Sequence, residues 1–170
     1  MIVYLAHGAS GTADSMLPHV EGLRRRDIAA ETVALPVGRA DRAVNAYREQ
    51  VDVISGAIIG GHSFGGRVAS LLAAEEPPRG LILLSYPLHP PGKPAWESRV
   101  DHWPKIDCPV LLLSGEADPF ARIDLLRQAI STLKHAELVT YPKVRHGLKP
   151  VLDDALDRVA RFVDRLADGS

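Results

Sequence analysis

The sequence predicts an α/β fold: a three-layer, doubly wound, mainly parallel sheet of about six strands with helices on both faces. Three observations carry this. Short apolar runs alternate with amphipathic stretches along all 170 residues, which is the rhythm of a parallel sheet covered by helices. Several runs are apolar throughout, as strands buried on both faces require. The stretches between them show the 3.6-residue period of helices that bury one face.

The expected strands are residues 2–5, 32–35, 57–59, 81–85, 110–113 and 137–140, with 32–35 and 137–140 at the edges. Asp14 or Ser15 is placed to cap the first helix. The second carries Ala40, Ala43, Val44 and Tyr47 at helical spacing, and a third, near 68–74, is apolar almost all round and belongs against the centre of the sheet. Pro150 suits the first turn of the last helix, whose stripe is Leu152, Ala155, Leu156, Val159 and Val163. Residues 86–109 break the rhythm with Pro87, Pro90, Pro91, Pro94, Pro104 and Pro109 around Trp96 and Trp103. A loop this long is usually functional. Trp96 is accordingly placed among the substrate-binding residues. The competing reading is a proline-stiffened connection whose tryptophans patch the core.

Length places the chain as one domain over 1–170, able to bury a core without metal or disulfide. A composition of 46% hydrophobic and 24% charged residues excludes disorder. Twenty basic against twenty-one acidic side chains offer no basic surface, so nucleic acid is not expected as a partner. Cys108 is the single cysteine, which excludes a disulfide framework and a cysteine-based zinc site. No apolar run reaches the roughly 18 residues of a membrane span. The apolar start stops at His7-Gly8, short of a secretory signal. The expected location is the cytoplasm.

Gly61-His62-Ser63-Phe64-Gly65 matches the G-x-S-x-G pattern between a strand and a buried helix. In such an elbow the serine sits on a sharp turn that holds its hydroxyl above the sheet, and its neighbours must be small. The phosphate-loop alternatives fail, because neither G-x-G-x-x-G nor G-x-x-x-x-G-K-[ST] is present. A serine needs a base to take its proton and an acid to orient that base. Asp118 follows the strand at 110–113, with Glu116 as the alternative acid; Asp118 is also suited to cap the turn before Pro119. His146 follows the last strand, where the base belongs, whereas His135 precedes it and His62 is expected to pack locally. The oxyanion donors would be the amides of Phe64 and Ala9, the latter in His7-Gly8-Ala9-Ser10-Gly11 after the first strand. Gly8 and Phe120 complete the substrate-binding set with Trp96. Arg67 suits an anionic substrate group or a structural ion pair, and the structural role is preferred.

With these residues placed, the chain resembles the α/β-hydrolase superfamily through HGA, GHSFGG, GEADPF and VRHG. The run Leu84-Ser85-Tyr86-Pro87-Leu88-His89-Pro90-Pro91-Gly92-Lys93-Pro94, with Gly66-Arg67 and Asp118-Pro119-Phe120, resembles the small testis-expressed, dienelactone-hydrolase-like family. The resemblance implies Ser63, Asp118 and His146 as a triad. The chain departs from the superfamily's usual eight-stranded core by starting at what corresponds to its third strand; with 86–109 as its longest excursion no cap domain is expected, and the site is expected to be shallow and open. Dienelactone hydrolases proper use a cysteine at the elbow. Here it is Ser63, and Cys108 is read as a core thiol. The expected activity is serine-hydrolase cleavage of a small-molecule ester without cofactor or metal. The rival expectation is a non-catalytic interaction domain on the same fold.

Overall fold

The computed structural model describes residues 1–169. Its strands are β1 (Val3–Ala6), β2 (Ala30–Val33), β3 (Ile58–His62), β4 (Gly80–Leu84), β5 (Val110–Gly115) and β6 (Ala136–Tyr141). All pair in parallel, in the order β2-β1-β3-β4-β5-β6. The helices are α1 (Leu17–Arg24), α2 (Ala40–Arg48), α3 (Phe64–Glu75), the short α4 (Glu97–Val100), α5 (Ile123–Ala129) and α6 (Leu152–Asp168).

Side chains alternate across a strand, and this divides the core into two layers. Val3 and Leu5 of β1 face α1 and α6, meeting Val20, Leu23, Leu156 and Val159. Tyr4 and Ala6 face the other way, into the core of α2 and α3 with Val44, Tyr47, Val68 and Leu72. The expected stripe Ala40, Ala43, Val44 and Tyr47 is buried. The Tyr47 hydroxyl reaches between strands to the carbonyls of Tyr4 and Gly60, both at 2.8 Å. Strands β1, β4 and β5 are buried along their whole length, while the edge strands β2 and β6 are partly exposed.

Three local expectations are corrected. The β2 ladder runs two residues earlier than 32–35, because its register is set by Val3 opposite Ala30; Leu35 is buried beyond the ladder, donating its amide to His7 Nε2. Asp14 and Ser15 do not cap α1. They lie inside a 3₁₀ turn, Ala13–Met16, that leads into it, and Ser15 Oγ donates to Thr12 O. Pro150 likewise sits in a 3₁₀ turn, Lys149–Val151, just ahead of α6.

The chain between β4 and β5 holds only α4 and a 3₁₀ turn, Trp103–Lys105. Tyr86, Leu88 and His89 are buried, and Trp103 packs edge-on against Tyr86 with ring centroids 5.0 Å apart. Among the described residues no helix is long and apolar enough to cross a membrane.

Candidate active site

The strand order reverses around β1, since β2 lies on one side of it and β3 on the other. Loops leaving the carboxyl ends of β1 and β3 therefore diverge and open a crevice, where ligands of open α/β sheets gather. The β3 loop is the elbow. Ser63 has φ +50° and ψ −113°, a left-handed backbone that costs a non-glycine residue free energy. Its amide donates to Leu84 O at 2.8 Å, and its carbonyl accepts from Arg67 N at 3.1 Å. The turn is possible only because β1 can come close. A Cβ on Gly61 would lie 2.5 Å from Ala6 O, and one on Gly65 would lie 2.4 Å from the same atom.

The structure brings Ser63, His146 and Asp118 together. Ser63 Oγ is 2.9 Å from His146 Nε2, and His146 Nδ1 is 2.8 Å from Asp118 Oδ2. With Asp118 ionised, this geometry puts the ring proton on Nδ1 and leaves Nε2 free to accept. The Asp118 side chain is fully buried, while His146 retains 21% exposure. Asp118 Oδ1 accepts the Phe120 amide at 2.8 Å, so the carboxylate holds its own turn as well as the imidazole. The alternative acid, Glu116, points elsewhere: it accepts from Thr140 Oγ1 at 2.7 Å and faces Arg127. His135 leads into β6, at the opposite end of the sheet from His146, and its carbonyl accepts from Val110 N.

The loops that carry Asp118 and His146 are joined through their backbones. Glu116 N donates to Tyr141 O and Ala117 N to Val144 O, each at 2.9 Å. Gly115 permits this contact, because a Cβ there would lie 2.1 Å from Val144 O. On the other side Gly147, at φ +102°, donates its amide to Ser85 Oγ at 3.2 Å. His89 ties the β4 loop to the Asp118 loop: its amide donates to Phe120 O and its Nε2 accepts from Arg122 N. Sequence reading missed Gly115, Ser85 and His89. The signal available was Ser85 and His89 lying in the LSYPLHP run.

Phe120 stacks obliquely on His146, centroids 4.5 Å apart. His62 leans on the same ring at 5.2 Å. Its Nε2 is buried without a partner among the described residues, and burial, followed by the neighbouring His146, pushes its pKa down to about 4. Phe64 is the first residue of α3, so its N–H lies outside the intrahelical ladder. The Ala9 amide has no acceptor among the described residues.

Two clefts flank Ser63. One, of about 680 Å³, is walled by Ala9, Phe64, Arg67, Arg99 and Phe120. The other, of about 720 Å³, is walled by Gly8, Ala9, Met16, His62, Phe120 and His146. Gly8, Ala9 and Phe120 thus stand where expected, but Trp96 does not. It is half-buried against the α2/α3 core and lines neither cleft. The 86–109 segment contributes Pro87, Pro90, Ser98 and Arg99 to the first cleft instead. Arg67 has no ion pair among the described residues, so the preferred structural role is not found. Cys108 is buried, and burial raises its thiol to about 12.

This fold, with a serine elbow at the switch point, is that of the α/β hydrolases. The family model described as alpha/beta hydrolase domain matches residues 30–166, and the chain belongs to that family. Two uncharacterized Mycobacterium tuberculosis proteins, Rv2307c and MT2364, are 29% identical over 124 residues. The match takes in 63% of this chain but only 44% of theirs, so the chain spans less than half the length of these curated relatives. Among solved structures, Est1E from Butyrivibrio proteoclasticus, with ferulic acid bound, superposes with a TM-score of 0.80. It is 19% identical and is covered over 89% of its length by 98% of this chain. The Paleococcus ferrophilus monoacylglycerol lipase gives 0.81 at 16% identity, with 99% of this chain and 95% of that one covered. These two likenesses establish the fold.

Proposed function

We propose that this protein is a serine hydrolase that cleaves a carboxylic ester or related acyl bond of a small molecule through an acyl-enzyme. The observation that carries the reading is the unbroken hydrogen-bond chain from Ser63 Oγ through His146 to Asp118. Similarity to a lipase and to Est1E supports it.

Ser63 Oγ attacks the carbonyl carbon as its proton passes to His146 Nε2. The buried Asp118 carboxylate stabilises the imidazolium and holds its tautomer. The carbonyl π pair moves to oxygen, where the amides of Phe64 and Ala9 donate to the oxyanion. Loss of one such donor costs on the order of 10²–10³ in rate. Collapse breaks the C–O bond, and the alcohol leaves with the proton from Nε2. Water then gives a proton to Nε2 and attacks the acyl carbon. The acid departs and Ser63 Oγ recovers its proton, with water as the only co-reactant. Gly8 and Phe120 bound the space beside the reacting carbon. A Cβ on Gly8 would lie 3.0 Å from His62 Nδ1 and 3.7 Å from Ser63 Cβ.

The test is hydrolysis of short p-nitrophenyl esters by the wild type and by Ser63→Ala. The expected loss is on the order of 10⁴–10⁶-fold. A fluorophosphonate probe should add its mass to the wild type at Ser63 and not to the variant. Equal turnover by the two proteins, or no adduct, would instead favour the interaction-domain reading.

A further inference from the structure

We propose that Arg67 and Arg99 form an anion subsite, so that the ester cleaved at Ser63 carries a carboxylate or phosphate on its acyl portion. This deepens, and rests on, the hydrolase reading above.

Both arginines wall the same cleft as Ser63. Arg67 projects from the first turn of α3, immediately behind the elbow, and Arg99 from α4 in the link between β4 and β5. Arg67 Nε is buried with no hydrogen-bond partner among the described residues. Arg99 reaches only the carbonyl of Pro87, at 3.4 Å. Neither has an ion pair among the described residues. Elsewhere seven arginines face a carboxylate: Arg26, Arg39, Arg48, Arg122, Arg127, Arg158 and Arg165. Two half-buried guanidinium groups in one cleft, left without a carboxylate, are costly. Arg99 registers that cost: its pKa is lowered, first by burial and then by the charge of Arg67.

The acids in this cleft do not remove the excess. Asp41 is held by Arg39 at 2.9 Å. The Asp101 carboxylate is 75% exposed and forms no ion pair with either arginine; it faces His102 Nδ1 at 3.6 Å, a ring whose pKa burial lowers. The free valence of the cleft is therefore two planar donor forks, and these match a carboxylate or phosphate.

Which part of the ester lies there follows from His146, which walls the opposite cleft only. The general acid must reach the leaving oxygen. The alcohol therefore departs over the apolar cleft of Met16, Leu148 and Leu152, and the acyl chain extends toward the arginines.

The test compares p-nitrophenyl hexanoate with the p-nitrophenyl half-ester of adipic acid, in which a carboxylate replaces the terminal methyl of the same six-carbon acyl chain. The wild type should favour the half-ester by about tenfold or more in kcat/KM, because a site built for a charged group discriminates against its absence. Arg67→Gln and Arg99→Gln should each bring that ratio toward one, in proteins whose Tm shows them folded. A third ester ending in a phosphonate separates the two anions: preference for it over the half-ester assigns phosphate, and the reverse assigns carboxylate. Equal rates on hexanoate and both anionic esters, or a ratio unmoved in both variants, overturn the proposal. Calorimetric binding of monomethyl adipate to Ser63→Ala gives the same answer without turnover. Failure of the hydrolase reading is thereby distinguished from failure of the subsite: binding lost with Arg67→Gln in that background supports the subsite, and no binding overturns it.

Discussion

Two places among the described residues set a serine, a histidine and an aspartate in line, and they differ in almost everything else. At the elbow, Ser63, His146 and Asp118 are joined at 2.9 and 2.8 Å. Two turns along α3, Ser70 Oγ lies 2.8 Å from His102 Nε2, and His102 Nδ1 is 3.6 Å from Asp101. Ser70 is fully buried in helical backbone and gives its proton to Arg67 O at 2.8 Å. Its oxygen can then only accept from His102, so the ring proton sits on Nε2, the nitrogen that a base must keep free. The acids differ too, since the Asp118 side chain has no exposed surface and that of Asp101 is mostly in water. A carboxylate in water orients and polarises its neighbour weakly. Residue types in line therefore do not make a nucleophile. The proposed mechanism draws on what only the elbow has: a strained, outward-facing hydroxyl, the right tautomer and a buried acid.

Asp118→Asn strikes the proposed catalytic array hardest. An amide NH₂ facing Nδ1 would turn the ring to the other tautomer, with its proton on Nε2, which is the arrangement Ser70 already has. The expected loss in kcat is on the order of 10⁴. It is read from ester hydrolysis against pH, alongside a Tm to show that the fold survives.

Gly115→Ala tests whether the elbow array depends on backbone closure that the Ser70 array lacks. The added Cβ would meet Val144 O at 2.1 Å and push away the loop that carries His146. A displacement of about 1 Å costs on the order of 10² in rate. Single-turnover hydrolysis and fluorophosphonate labelling should both slow together. A variant that keeps the wild-type rate would mean the loop is held elsewhere.

These cases also mark what sequence reading reaches. The elbow glycines, Asp118 and His146 were legible because each occupies a fixed place at the end of a strand, and strands advertise themselves by apolar runs. The layers of the sheet were legible for the same reason. The Ser70–His102 contact was not, because it joins a helix to a proline-rich link with no periodicity to place it. Trp96 misled: aromatic residues in a long loop suit a ligand or a core equally well, and only packing decides. Arg67 was misjudged because an ion pair needs a partner in space, which sequence does not locate. The β2 boundary slipped because backbone pairing with β1, rather than apolarity, sets where the ladder begins.

His62 offers a smaller effect, on stability. Its folded pKa, about 4, lies below the ordinary histidine value, about 6.5. The unfolded chain therefore binds the proton first, and the stability from this group, fully present above about pH 6.5, is lost as pH falls toward 4. Between about pH 7.5 and 5 the loss from His62 is about 2 kcal/mol. Burial also lowers His19 and His102, and both remain in either protein. Urea unfolding of the wild type against His62→Gln at the two pH values thus isolates the difference. The variant should lose less on acidification, and equal losses would mean that His62 titrates normally.

The smallest expected effect completes the comparison. Asp101→Asn is the same chemical change as Asp118→Asn, made in the second array. The Asp101 carboxylate is mostly hydrated and lies beyond hydrogen-bond reach of His102, so removing its charge should change stability by less than about 0.5 kcal/mol. No proton moves between Ser70 and His102 in the proposed reaction, so neutral-ester hydrolysis should stay within about twofold of wild type by the same argument. Measured in one assay, the two Asp→Asn substitutions should differ by several thousandfold, although each removes one aspartate from a Ser–His–Asp line. A comparable loss at Asp101 would show that the second array is energetically coupled to the first through α3, and that burial and tautomer alone do not separate them.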